Sequence, residues 1–173
     1  MLRRRLQELT EINDVSQHAD LLAALGQQHP NSIKIVDSTN PLERYTCLMH
    51  VLGFDGVPEY ESIASRGFNV VYAGSRFAHW LIDNGLLEEI PVSKADQGDL
   101  IFYFDTGGRF KHAGVIASNS RVVSKWGTGN LYEHGLYEVP DNYGDDVRCF
   151  KKMEYEKSLE HFVNFAKHHG MPL

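Results

Sequence analysis

Apolar residues recur along this chain with two periods, and the change of period divides it. Leu6, Leu9 and Ile12, then Leu21, Leu22 and Leu25, are spaced as on amphipathic helices, the second ending near Gly26. Ser32 to Val36 (SIKIV) predicts a short strand. Asp37-Ser38-Thr39-Asn40-Pro41 is turn material that also caps a helix, with Pro41 tolerated in its first turn. Tyr45, Leu48, Met49 and Leu52 then form one apolar helical face, and Gly53 stops it. Cys47 is expected in the body of that helix, about two turns from its start.

Gly67 to Ala73 reads as an extended run, and Arg76 to Leu87 as another amphipathic helix marked by Phe77, Trp80 and Leu81. After Pro91 the pattern changes. Leu100–Phe104, His112–Ala117 and Arg121–Trp126 are strand-like runs separated by turns of Gly, Asp, Asn and Ser, with Val147–Phe150 as a fourth. Ser158 to Lys167 closes the chain with an amphipathic helix. Helices first and an antiparallel meander afterwards make an α+β pattern. The implied divisions are a helical segment over 1–30, the main domain over 31–152, and a C-terminal helix over 153–173 packed on the same domain.

Charge and composition narrow the function classes. The 173 residues are 42% hydrophobic with a net charge of −6, which suits a folded domain and argues against a broad nucleic-acid surface. The basic run Arg3-Arg4-Arg5 is followed by Glu8 and Glu11 and reads as a solvated helix start. No segment approaches the roughly 20 apolar residues of a membrane span. Polar residues interrupt Met1 to Asp20, so no signal peptide is read there and a cytoplasmic origin is expected, with later release as an effector compatible. Two cysteines, Cys47 and Cys149, are too few for a disulfide scaffold.

The chemistry centres on Cys47. A cysteine nucleophile needs a thiolate, a base and oxyanion donors, and a helix N-terminus supplies part of the first and third. His112 opens the run HAGVIA directly after the strand QGDLIFYF and is the candidate base. Either residue alone is readily structural; their order on a helix and then a strand gives the pair its weight. Asn40 or Tyr45 is a candidate oxyanion donor beside the Cys47 N–H. His50 reads as a helix histidine, and Cys149 as a buried structural thiol.

The segments QGDLIFYF (97–104) and KHAGVIASNSRVV (111–123) resemble the strand-turn-strand core of the NlpC-type cysteine peptidases and amidases. A closer resemblance, to a group of largely uncharacterised papain-like proteins, runs through TCLMHVLGF (46–54), KHAGV (111–115), SKWG (124–127), LYEH (131–134) and NYG (142–144). The resemblance implies a papain-like α+β core with the Cys helix packed on an antiparallel sheet. It implies a cysteine peptidase, amidase or acyl transferase that needs no cofactor. The expected partner is a peptide, isopeptide or other amide substrate, with peptidoglycan peptide one possibility. The chain departs from the NlpC type in having Thr46, where an Asp is usual, before the Cys.

In NlpC-type enzymes the residue that orients the His lies on the next strand, at a position that falls here on Ser124. Register decides between Ser124 and its neighbour Lys125. A two-residue turn at Asn119-Ser120 pairs Lys125 with Gly114 on the face of His112; a three-residue turn pairs Ser124 with Ile116 there instead. Ser124 is the choice, because a hydroxyl can accept from an imidazole N–H and an ammonium cannot. Lys125 and His134 are further candidates, as orienting groups or substrate contacts at the rim. A zinc site from Cys47, His50, His112 and His134 lacks a second ligand pair at usual spacing. Gly107-Gly108 and Gly127-Thr128-Gly129 lack the context of a phosphate loop. The competing expectation is a catalytically silent scaffold that binds a protein partner. An active enzyme calls for a thiol of low pKa, a scaffold for an inert one.

Overall fold

The computed structural model describes residues 1–12, 14–36, 46–64, 71–127 and 129–169. Its elements are α1 (Leu2–Thr10), α2 (His18–Gln28), β1 (Lys34–Val36), α3 (Cys47–Leu52), α4 (Pro58–Ala64) and α5 (Ser75–Asp83). There follow β2 (Glu89–Ile90), β3 (Leu100–Phe104), β4 (Phe110–Ile116), β5 (Val122–Lys125), β6 (Leu131–His134), β7 (Asp146–Phe150) and α6 (Tyr155–His168). The fold is α+β, as its hydrophobic pattern predicts. One antiparallel sheet runs in the order β1-β6-β5-β4-β3-β7-β2, so β3, β4 and β5 form the expected meander, β6 continues it, and the run at 147–150 pairs with β3 on the other side.

Helices cover both faces of this sheet. That is why β3 reads LIFYF with no polar alternation: all five residues are buried. Leu100, Phe102 and Phe104 face α3, α4, α5 and α6 in a core that includes Phe54, Tyr60, Phe77 and Phe162. Ile101 and Tyr103 face α1 and α2, beside Leu6, Leu9 and Leu22. The two faces have different chemistry, because strand residues alternate between them.

Three local devices hold the sheet's neighbours in place. Asp99, only 4% exposed, accepts from Asp96 N, Lys151 Nζ and Lys152 N at 2.8, 3.0 and 3.1 Å, tying the start of β3 to the segment after β7. Burial pushes its carboxyl up, but these donors more than offset that and leave it below its ordinary value. Arg3 on α1 donates to Val139 O and Gly144 O at 3.3 and 2.8 Å and pairs with Asp145, fastening α1 to the short 3-10 turn Asp141–Tyr143. Gly144 follows that turn at φ 95°, where an added Cβ would sit 2.1 Å from the Phe104 carbonyl oxygen.

Some boundaries differ from the sequence expectation. The helix expected over Arg76–Leu87 ends at Asp83, because Gly85 turns the chain at φ 63°. α4, β2 and β6 were not anticipated; each is short and too weakly periodic to stand out. The extended run Gly67–Ala73 falls mostly outside the described residues, as do the turn at 37–41 and both candidate oxyanion donors, Asn40 and Tyr45. Among the described residues no helix is long and apolar enough to cross a membrane.

Candidate functional site

Cys47 is the first residue of α3, and not two turns inside it as the sequence suggested. Thr46 makes that start. Its backbone is extended, its hydroxyl oxygen accepts from Met49 N at 3.1 Å, and the hydroxyl donates to Ala73 O at 3.0 Å. An Asp here could cap equally well, but could not donate to the carbonyl and would add a negative charge beside the thiol. Gly53 closes the helix in the left-handed region at φ 73°, as a C-terminal glycine should.

The helix start packs against β4 and β5. The ladder between those strands pairs Val115 with Val123 and Ile116 with Val122. The nearby backbone N–H groups of Ala113, Leu48 and Cys47 itself and the Lys125 ammonium favour a thiolate, yet burial outweighs them and pushes the thiol up to about 11. The resting group is a thiol at neutral pH, contrary to the low-pKa cysteine that an active enzyme was expected to show.

His112 immediately precedes Ala113 but projects to the other face. It pairs with Tyr103, and its ring lies 4.0 Å from that of Tyr143 at an interplanar angle of 21° and 5.6 Å from that of Tyr103. The residue is 1% exposed and its Nε2 has no hydrogen-bond partner. Burial first, then His134 and His50, holds its imidazole well below the usual value, so it is neutral at pH 7. His112 is not among the groups that bond to the Cys47 sulfur.

The β4–β5 hairpin turns through Ser118–Ser120, with Ser120 at φ 57°. Continuing the register sets Ser124 opposite Gly114 instead of Ile116, and a Cβ on Gly114 would lie 3.0 Å from the Ser124 Cβ. Ser124 therefore shares the face of His112, while Lys125 takes the face of Cys47. The Ser124 hydroxyl is engaged elsewhere. It lies 2.7 Å from His134 Nε2 and accepts from Trp126 Nε1 at 3.0 Å. His134 Nδ1 lies 2.8 Å from Gly135 O, a pure acceptor, so Nδ1 carries the proton and Nε2 accepts from Ser124. Burial pushes His134 down to about 4, consistent with that neutral form.

Two rim candidates are thus interior residues. His134 ends β6 and is fully buried, although its glycine-rich surroundings suggested a loop. Lys125 is also fully buried, with Nζ donating to Gly129 O at 2.5 Å. Sequence reasoning gave no role to Tyr143, which stacks on His112. A glycine forced to positive φ directly after a tyrosine, as in NYG, was the signal of a turn built to aim that ring. Cys149 is buried on the α1–α2 face, paired with Ile101. Among the described residues no group of three or more His, Cys, Asp or Glu is placed to hold a metal ion. No family model, no curated protein and no solved structure matches the chain.

Proposed function

We propose that this chain is a papain-like cysteine hydrolase or acyl transferase acting through Cys47 on an amide, isopeptide or related acyl bond. One observation carries the reading: a cysteine heads a helix capped by Thr46, and that helix packs on the strand that carries a buried, neutral histidine. The backbone N–H groups near the thiol suit the sulfur anion and the oxyanion that forms beside it. Because the resting thiol is protonated, its deprotonation accompanies attack. His112, which rests on the opposite face of β4 against Tyr143, accepts the thiol proton once its ring leaves that stack, while sulfur bonds to the acyl carbon. The leaving amine departs with that proton, and a thioester remains on Cys47. Water then attacks the thioester, giving a proton to His112 that returns to the departing sulfur.

Acyl capture tests this directly. A panel of peptide thioesters is incubated with the protein and adducts are located by peptide mass spectrometry, with buried Cys149 as internal control. Acylation is expected at Cys47, absent in Cys47→Ala and slowed at least ~100-fold in His112→Ala. No adduct at Cys47, or one indifferent to His112, would end the reading. The second reading, a silent scaffold, is favoured by a thiol raised to about 11 and by the Tyr143 ring stacked on His112. It predicts an inert thiol and full retention of partner binding in Cys47→Ala.

A further inference from the structure

We propose that Lys125 is the counter-charge of the Cys47 thiolate, a positioning residue that stabilises the sulfur anion while His112 handles the proton. The inference rests on Cys47 being the nucleophile. Its geometric basis is the β4–β5 register. Continued from Val115↔Val123, that register sets Lys125 opposite Ala113, on the face that α3 covers. Lys125 projects to the α3 face, and α3 packs on both strands. Its side chain is fully buried, and Gly129 O, accepting from Nζ at 2.5 Å, anchors the amine without neutralising it.

A buried ammonium is costly unless an anion offsets it. Cys47 and Asp55 are the groups that favour its charged form, and against them burial pulls Lys125 down to about 8. Among the described residues, Lys125 on β5 and Tyr143 on the turn before β7 interact electrostatically with the thiol. His50 on the same helix and Asp55 after it act on Lys125, and His112 lies on β4 against Tyr143. Burial holds His50 down at about 4 and His112 well below its ordinary value, so neither is charged at neutral pH. That leaves Lys125 as the cation of the set.

The pH dependence of Cys47 alkylation by iodoacetamide, read by peptide mass spectrometry, tests this without requiring turnover. At pH 7, where the Lys125 amine, at about 8, is still protonated, Cys47 labelling in Lys125→Met should be roughly tenfold slower because less thiolate is present. Lys125→Arg, which keeps the charge, should stay near the wild-type rate at that pH. Near-UV circular dichroism verifies the fold in each. Should Lys125→Met not fold, Lys125→Gln carries the same test, because its amide can still donate to Gly129 O. An unchanged pH 7 rate in the neutral variant, or an equal slowing in Lys125→Arg, would overturn the proposal. A slowed rate without acyl capture would instead retain the counter-charge and remove the hydrolase.

Discussion

The two faces of the sheet solve the burial of polar groups in opposite ways. On the α1–α2 face a chain of hydrogen bonds runs from Trp126 Nε1 to Ser124, from Ser124 to His134 and from His134 to Gly135 O, while Tyr103 donates its hydroxyl proton to Leu136 O at 2.8 Å. Among the described residues of that face, His112 Nε2 is the buried side-chain nitrogen without a partner. The α3 face is mostly aromatic and aliphatic, and its buried polar groups are Lys125, beside the half-buried Cys47, and Ser158 and His161 on α6, the last with an unpartnered Nε2. A satisfied network specifies structure, and the half-buried thiol and buried amine of the other face stand outside it. The two faces meet along β4, where His112 and Ala113 are successive residues on opposite sides.

The largest expected effect comes from breaking the turn that aims Tyr143 across that meeting point. Gly144→Ala forces a Cβ to 2.1 Å from the Phe104 carbonyl oxygen at a backbone angle reserved for glycine. A loss of ~3 kcal/mol or more is expected by urea unfolding, together with faster His112 modification by diethyl pyrocarbonate once the stacked ring is displaced. Unchanged stability would show that the turn does not anchor the face.

Acid should come next. The folded values of His134, at about 4, and of His112 lie below the unfolded value of 6.5. The unfolded chain therefore binds protons first as the pH falls. Stability is fully present above pH 6.5 and declines toward pH 4, by about 3 kcal/mol from His134 alone. Denaturant melts across that range check the slope, which should flatten in His134→Gln.

Ser124→Ala is the smallest of the three and the sharpest comparison. It leaves Trp126 Nε1–H and His134 Nε2 without their partner and should cost ~2 kcal/mol. The Cys47 alkylation profile should be unaffected, because Ser124 lies on the other face. A shifted profile would join Ser124 to the thiol and erase the distinction between the faces.

Much of this was legible in sequence. The runs at 100–104, 112–117, 121–126 and 147–150 fall on β3, β4, β5 and β7, and the last amphipathic pattern falls on α6, because period-2 and period-3.6 repeats are local properties. β6 was missed because Leu131-Tyr132-Glu133-His134 is a four-residue strand beside glycines, with little periodicity to detect. The candidate residues themselves were found by chemistry and order, but their partners were not. Ser124 was assigned to orient His112 and instead bonds His134; His134 was taken toward the rim and lies in the interior, as does Lys125, the alternative to Ser124.

The sequence by itself determined the α+β order, most strands of the sheet and the cysteine on a helix ended by Gly53, but not that Thr46 caps that helix. Only the tertiary structure decided that the hairpin turns through Ser118–Ser120, and with it which of Ser124 and Lys125 faces the thiol. A one-residue change of register exchanges the two faces of a strand, and nothing local to VVSK encodes that choice. The state of the thiol has the same origin: burial by distant elements, not the residues beside Cys47, raises it.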